Sequence, residues 1–257
     1  MPFSRFPHSA TLLVGERTYP AEVVRTVLAP FVSERRRARI AAVVAARTYA
    51  VVPVLERLVD AGNLHAVLRS AEGLGYGAAF LVAPEDEAAP LAARYAARRD
   101  VPEEALGRRA GTRAAQGAHK WLDLTTWDDA ESFVRDAHDR GYAVAATHLG
   151  EDALPIAAWD FTRPTALVFG NERDGVSDAL LARADARLVL PLDGFVQSYN
   201  VSVAAALALY HARQDRLARQ GRHGDLTEAE QAVLTAHWYA RSVEAAAEIL
   251  AREAPGA

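Results

Sequence analysis

Short apolar, β-branched runs alternate with helix-patterned segments through the middle of the chain. This alternation constrains the fold more than any other feature. Strand runs are read at 49–55, 78–83, 121–124, 142–147, 165–169 and 188–190, with helices at 64–74, 128–140, 178–184 and from 200 onward. Such an order buries its apolar runs as an α/β fold, a mostly parallel sheet with helices on both faces. Roughly five or six strands are expected.

The last strand run leads into the most informative stretch. Leu188 to Leu190 reads as a buried strand end, and Pro191 with Asp193-Gly194 forces a turn. From Asn200 an Ala-rich run to Leu209 reads as a helix packed closely on both sides, capped by Ser198 or Asn200. A strand, a polar loop and the positive end of a buried helix form a small-ligand site in an α/β protein. Asn63, Thr147, Glu172 and the Gln197-Ser198-Tyr199-Asn200 run all follow strands. In a parallel sheet they converge on one edge.

The flanks read differently. A strand is expected at 11–14 and a helix at 21–32, stopped near Pro30. Ser33 then caps a basic helix over 34–47, with Arg35, Arg36, Arg37 and Arg39 opposite Ile40, Val43 and Val44. Residues 56–63 read as a polar loop, with Asn63 capping a helix from Leu64. Gly73, Gly75 and Gly77 follow a helix, so they read as a C-cap and turn instead of a dinucleotide fingerprint. Residues 85–116 read as one or two helices and a long loop. Thr227 with Glu230 forms a capping box for a helix over 228–241, and a last helix covers 242–252. The organisation expected is an N-terminal extension with a basic helix (1–48), a central domain (49–220) and a C-terminal helical extension (221–257).

Composition excludes several chemistries. The chain has no Cys, which removes disulfides, thiolate-zinc sites and Cys nucleophiles and suits a reducing, cytoplasmic setting. The histidines form no i,i+4 pair, so no metal is expected. There is no phosphate-loop or G-x-S-x-G motif. No uncharged apolar run approaches the ~20 residues of a membrane span, and residues 1–10 show no signal-peptide pattern. A net charge of -4 by itself argues against nucleic acid. The arginines are clustered, however, in residues 1–47, in 108–120 with Lys120, and in 211–224, and each patch can meet phosphates.

Three segments together resemble the SpoU/TrmH family of RNA ribose 2′-O-methyltransferases, in the SPOUT superfamily. They are Asn63-Leu64-His65-Ala66-Val67-Leu68-Arg69, then Gly170-Asn171-Glu172-Arg173-Asp174-Gly175, then Leu190-Pro191 through Gln197-Ser198-Tyr199-Asn200-Val201-Ser202. The resemblance spans residues 50–212 and is nearest the branch that methylates guanosine 18 of the tRNA D-loop. It implies a deep trefoil knot in the C-terminal part of the sheet, a homodimer, and S-adenosylmethionine held by Thr147, Gly170, Leu190 and Tyr199, largely through backbone groups. Tyr199 stands where that branch usually has Leu. The resemblance makes Arg69 the main catalytic residue, stabilising the developing alkoxide and holding an RNA phosphate. Asn63 would orient Arg69 or the ribose, Glu172 would fix the knot loop or Asn200, and Ser198 and Asn200 would shape the site. Arg35, Arg36, Arg37, Arg39 and Lys120 would bind tRNA or another structured RNA. Two alternatives stay open: a ribosomal RNA ribose methyltransferase, and an RNA-binding dimer without activity.

Overall fold

The computed structural model describes residues 5–82 and 120–254, so the segment read as helices and loop at 85–116, and His119, lie outside the described residues. Two compact units are present. One is Thr48–His223 with the residues up to Arg5, and the other joins Phe6–Arg47 to Gly224–Ala257. The N- and C-terminal extensions, separate in sequence, thus belong to one unit.

The larger unit is built in the order β3 (Val51–Glu56), α3 (Ala61–Leu74), β4 (Ala78–Val82), β5 (Asp123–Trp127), α4 (Ala130–Asp139), β6 (Ala143–Thr147), β7 (Leu154–Pro155), β8 (Thr165–Phe169), α5 (Asp178–Leu181), β9 (Ala186–Val189) and α6 (Val201–Gln220). Its seven strands lie in the order β5-β4-β3-β8-β6-β9-β7, and every pair is parallel. Every residue of β3, β4 and β8 is buried, as a parallel sheet covered on both faces requires. Pro53 has no N–H to give to the ladder. It falls outside the Val54–Glu56 stretch that pairs with β4, although it lies opposite Leu167 of β8.

The pleat sends alternate residues to opposite faces. Val51, Leu55, Leu81, Leu167 and Phe169 join Val67, Leu68 and Ala71 of α3 and Ala205, Ala208, Leu209 and Ala212 of α6 in one core. Phe80, on the other face, meets Phe133 of α4 at 6.5 Å and Tyr142 at 6.0 Å. The sheet therefore carries helices on both faces.

The smaller unit opens with a hairpin, β1 (Thr11–Val14) and β2 (Arg17–Pro20), followed by α1 (Ala21–Leu28), a short 3-10 turn and α2 (Glu34–Ala45). It closes with α7 (Glu228–Ser242) and α8 (Ala246–Glu253), both in contact with α1. Ser33 caps α2 and the Thr227/Glu230 box caps α7, both as the sequence indicates. Arg47 is buried, its guanidinium over the Trp238 ring at 5.3 Å, so it packs in this unit's core instead of joining a basic face.

Three local expectations are corrected. The helix expected from Leu64 begins at Ala61, and its cap is Asp60, whose carboxylate accepts the Asn63 N–H at 2.7 Å. The strand read at 121–124 is displaced to Asp123–Trp127, an edge strand. Finally, α6 is packed on one side only. Val203, Leu207 and Tyr210, at helical spacing, are 47%, 44% and 53% exposed.

Candidate active site

The site lies across the carboxyl ends of β3, β8, β6 and β9, where a parallel sheet binds its ligands. Three of its side chains are joined. The Asp60 cap places Asn63 in the first turn of α3 and leaves its side-chain amide unused by the helix. That amide spans two other segments. Its Nδ2 donates to Glu172 Oε1 at 2.9 Å, and its Oδ1 accepts from Asn200 Nδ2 at 3.1 Å. Asn200 is itself the N-cap of α6, its Oδ1 accepting the Ser202 N–H at 2.9 Å. Glu172 thus reaches Asn200 through Asn63. These side-chain hydrogen bonds tie the β3, β8 and β9 exits together.

The residues expected to hold cofactor sit on neighbouring strand ends. Thr147 closes β6 and donates to the Val168 carbonyl of β8 at 2.9 Å. Leu190, just past β9, is partly buried against the core. Gly170 opens the loop after β8, where the chain turns back on itself. A Cβ there would fall 2.0 Å from the Gly175 carbonyl carbon and 2.1 Å from the Val176 nitrogen, so only glycine fits. Tyr199 is partly exposed, its hydroxyl donating to the Pro191 carbonyl at 3.3 Å.

Arg69 lies six residues beyond Asn63, about 9 Å along the helix axis. Its side chain is exposed and makes no hydrogen bond or ion pair among the described residues. Ser198 is exposed in the loop before α6 and is not bonded to the Asn63 cluster. Lys120 precedes β5, at the amino end of a parallel strand, so it is not among the residues on the carboxyl edge. Arg35, Arg36, Arg37 and Arg39 belong to the other unit. Of these, Arg37 is held by the Ala29 carbonyl at 2.7 Å.

Sequence reading passed over four supporting residues: Glu56, Arg57, Asp60 and Asn171. The run 56–63 read as a polar loop, yet Glu56 ends β3 and is 2% exposed. The available signal was Asp60 three residues before Asn63, the spacing of an N-cap and the amide it accepts.

The geometry defines a parallel-sheet α/β protein with a polar cluster and a loop-lined ligand edge. Similarity to known proteins gives the family. The sequence profile of the SpoU rRNA Methylase family matches residues 101–210. A tRNA (guanosine(18)-2′-O)-methyltransferase of Thermus thermophilus is 37% identical over 187 residues, covering 72% of this chain and 85% of that protein. The crystal structure of the A. aeolicus TrmH/SpoU tRNA modifying enzyme superposes with a TM-score of 0.66 at 26% identity, over 82% of this chain and 98% of the other. The AdoMet-bound rRNA methyltransferase of Sinorhizobium meliloti gives 0.52 at 25% identity, over 64% and 56% of the two chains. This chain belongs to the SpoU/TrmH family of RNA methyltransferases.

Proposed function

We propose that the chain transfers a methyl group from S-adenosylmethionine to a ribose 2′-oxygen of tRNA, at guanosine 18 of the D-loop. The observation that carries this reading is the Asn63 amide joining Glu172 to Asn200 across three strand exits. A site that must hold two large partners in line needs such a fixed frame.

The residues present suit the cofactor. No hydrogen bond among the described residues uses the backbone amides of residues 192–199. Leu190, partly buried against the core, and the exposed Val196 and Tyr199 are apolar side chains of this stretch available to an adenine read by backbone groups. Bound S-adenosylmethionine supplies an electrophilic methyl on a sulfonium. The remaining work falls to this chain. The ribose hydroxyl must be aimed at that methyl and must lose its proton as the new C–O bond forms. The Arg69 guanidinium stabilises the developing alkoxide and holds the RNA phosphate, while that phosphate or a water takes the proton. Asn63, locked by Glu172 and Asn200, positions the ribose, and Ser198 shapes the loop around it.

The exposed stripe Val203, Leu207 and Tyr210 on α6 suits a second copy of the chain, giving a homodimer that tRNA crosses. Arg35, Arg36, Arg39 and Lys120 supply phosphate contacts, and Arg37 braces α2 beside them. The chain path through the β8 and β9 exits is read as the family's trefoil knot. Among the described residues no helix is long and apolar enough to cross a membrane, and the tRNA substrate proposed here supports a cytoplasmic reading.

The test is transfer of labelled methyl to an unmodified tRNA transcript, followed by mapping of the modified ribose. Label on guanosine 18 supports the reading. Label only on ribosomal RNA fragments favours the second reading, for which the likeness to the S. meliloti enzyme speaks. Cofactor binding without transfer to either RNA points to a non-catalytic RNA-binding dimer. Arg69→Ala is expected to lower transfer by at least about 100-fold while S-adenosylmethionine still binds in calorimetry. Loss of cofactor binding in that variant removes the role assigned to Arg69.

A further inference from the structure

Glu56 is a carboxyl group at the end of an otherwise apolar buried strand, 2% exposed. Burying such a group is costly unless hydrogen bonds repay it. Both its oxygens are engaged by one residue 121 positions away. Glu56 Oε2 accepts the Ser177 N–H at 2.8 Å, and Oε1 accepts the Ser177 hydroxyl. The same hydroxyl oxygen accepts the Leu180 N–H at 3.3 Å as cap of α5, so its proton is directed at Glu56.

Ser177 ends the loop that begins at Gly170, and the other end of that loop is tied to the next residue of β3's exit. Asn171 Nδ2 donates to the Arg57 carbonyl at 2.8 Å. Arg57 has φ 54, the one non-glycine residue with positive φ among the described residues. That conformation is sterically unfavourable for a non-glycine residue. It occurs at the residue whose carbonyl holds the loop, and strain of this kind gathers at functional sites. Asn171 also closes the loop on itself, exchanging backbone bonds with Gly175 at 2.9 and 3.0 Å. Two consecutive residues, Glu56 and Arg57, therefore grip both ends of one loop. Between the grips lies Glu172, exposed, its side chain bonded to Asn63 alone among the described residues.

We propose that Glu56 is a positioning residue for methyl transfer: through Ser177 it fixes the 170–177 loop so that Glu172 meets Asn63. Glu56 touches neither RNA nor cofactor in this scheme. Its effect passes through Glu172, and the proposal rests on the catalytic reading above.

The experiment is a double-mutant cycle on kcat at saturating S-adenosylmethionine and tRNA, using Glu56→Gln and Glu172→Ala in the full chain. Glu56→Gln alone is expected to lower kcat about tenfold, equivalent to roughly 1.4 kcal/mol. In the Glu172→Ala background, where no acceptor is left for the Asn63 amide, the same change is expected to cost less than about twofold, because the loop has nothing left to deliver. Equal factors in both backgrounds mean that Glu56 only supports the fold, and they overturn the proposal. Ser177→Ala runs the same cycle and stands in if Glu56→Gln fails to fold. A second readout does not depend on activity. The Asn63 side-chain amide protons, followed by NMR, should shift toward the position of an unbonded amide in Glu56→Gln and Ser177→Ala. An unmoved Asn63 signal in both variants overturns the tether. If the wild-type protein transfers methyl to no RNA, the catalytic reading fails by itself, and the Asn63 signal still decides whether Glu56 holds Glu172 in place.

Discussion

Gly170 shows how a single residue sets the site. Its neighbours are backbone atoms of the same loop, which cannot swing aside as a side-chain tip can. Gly170→Ala must push the Gly175–Val176 strand of the loop away and break the Asn171/Gly175 pairing. The expected cost is about 3 kcal/mol, read as a lower urea midpoint, with weakened S-adenosylmethionine binding. An alanine variant as stable as wild type would mean that the turn relaxes more easily than the geometry indicates. Asn63 makes the complementary point. Its motif singled it out as a candidate site residue, but its bonds to Glu172 and Asn200 span 109 and 137 positions, beyond any local pattern.

Helix starts govern the next scale. On α4, Asp129 accepts the Ser132 N–H at 2.7 Å and the Ser132 hydroxyl at 2.8 Å. These bonds, the backbone one first, hold its carboxyl below the usual carboxylate range. A carboxyl whose pKa is lowered by folding adds stability above its unfolded pKa, near 4. That stability is lost as pH falls through the lower folded value. Asp129→Ala should therefore cost about 1 kcal/mol near neutrality. Urea midpoints should show the gap from wild type narrowing below about pH 4. The basic helix α2 makes a different prediction. Arg35 and Arg39 are exposed and bonded to nothing among the described residues, whereas Arg37 braces the preceding turn. Arg35→Ala with Arg39→Ala should reduce the slope of log Kd against log salt by roughly 1.5 for tRNA. An unchanged slope removes this face from the RNA interface.

At the scale of the whole molecule, the single chain leaves an apolar stripe on α6. Its other side packs closely on α3 through Ala205, Ala208 and Ala212. If the homodimer proposed above forms through this stripe, Leu207→Glu should shift sedimentation from dimer to monomer at micromolar concentration with little change in the fold. A variant that stays dimeric places the interface elsewhere. The parallel sheet was legible because its central strands are continuous apolar runs between turn signals, and the run at 165–169 was read without displacement. The edge strand β5 was not, because Asp123, Leu124, Thr125 and Trp127 are half-buried and Thr126 is exposed, so no apolar run marks its limits. The hairpin strand β2 was missed for a similar reason, since only Tyr19 of its four residues is buried.

The sequence by itself determined the class of fold, the caps of the helices at Ser33, Asn200 and Thr227, and the identity of the polar residues near the strand ends. These follow from local propensity and from hydrophobic period, which a chain carries at every residue. Only the tertiary structure decided which of those polar groups meet. Asn63 is joined to Glu172 and Asn200, and Glu56 to Ser177, because strand order β3-β8-β6-β9 and the register of each pair bring distant exits side by side. The structure also decided that the two chain ends form one unit and that one face of α6 is left exposed. Long-range packing settles such pairings, because many partners are locally equivalent and only one arrangement satisfies the buried groups together.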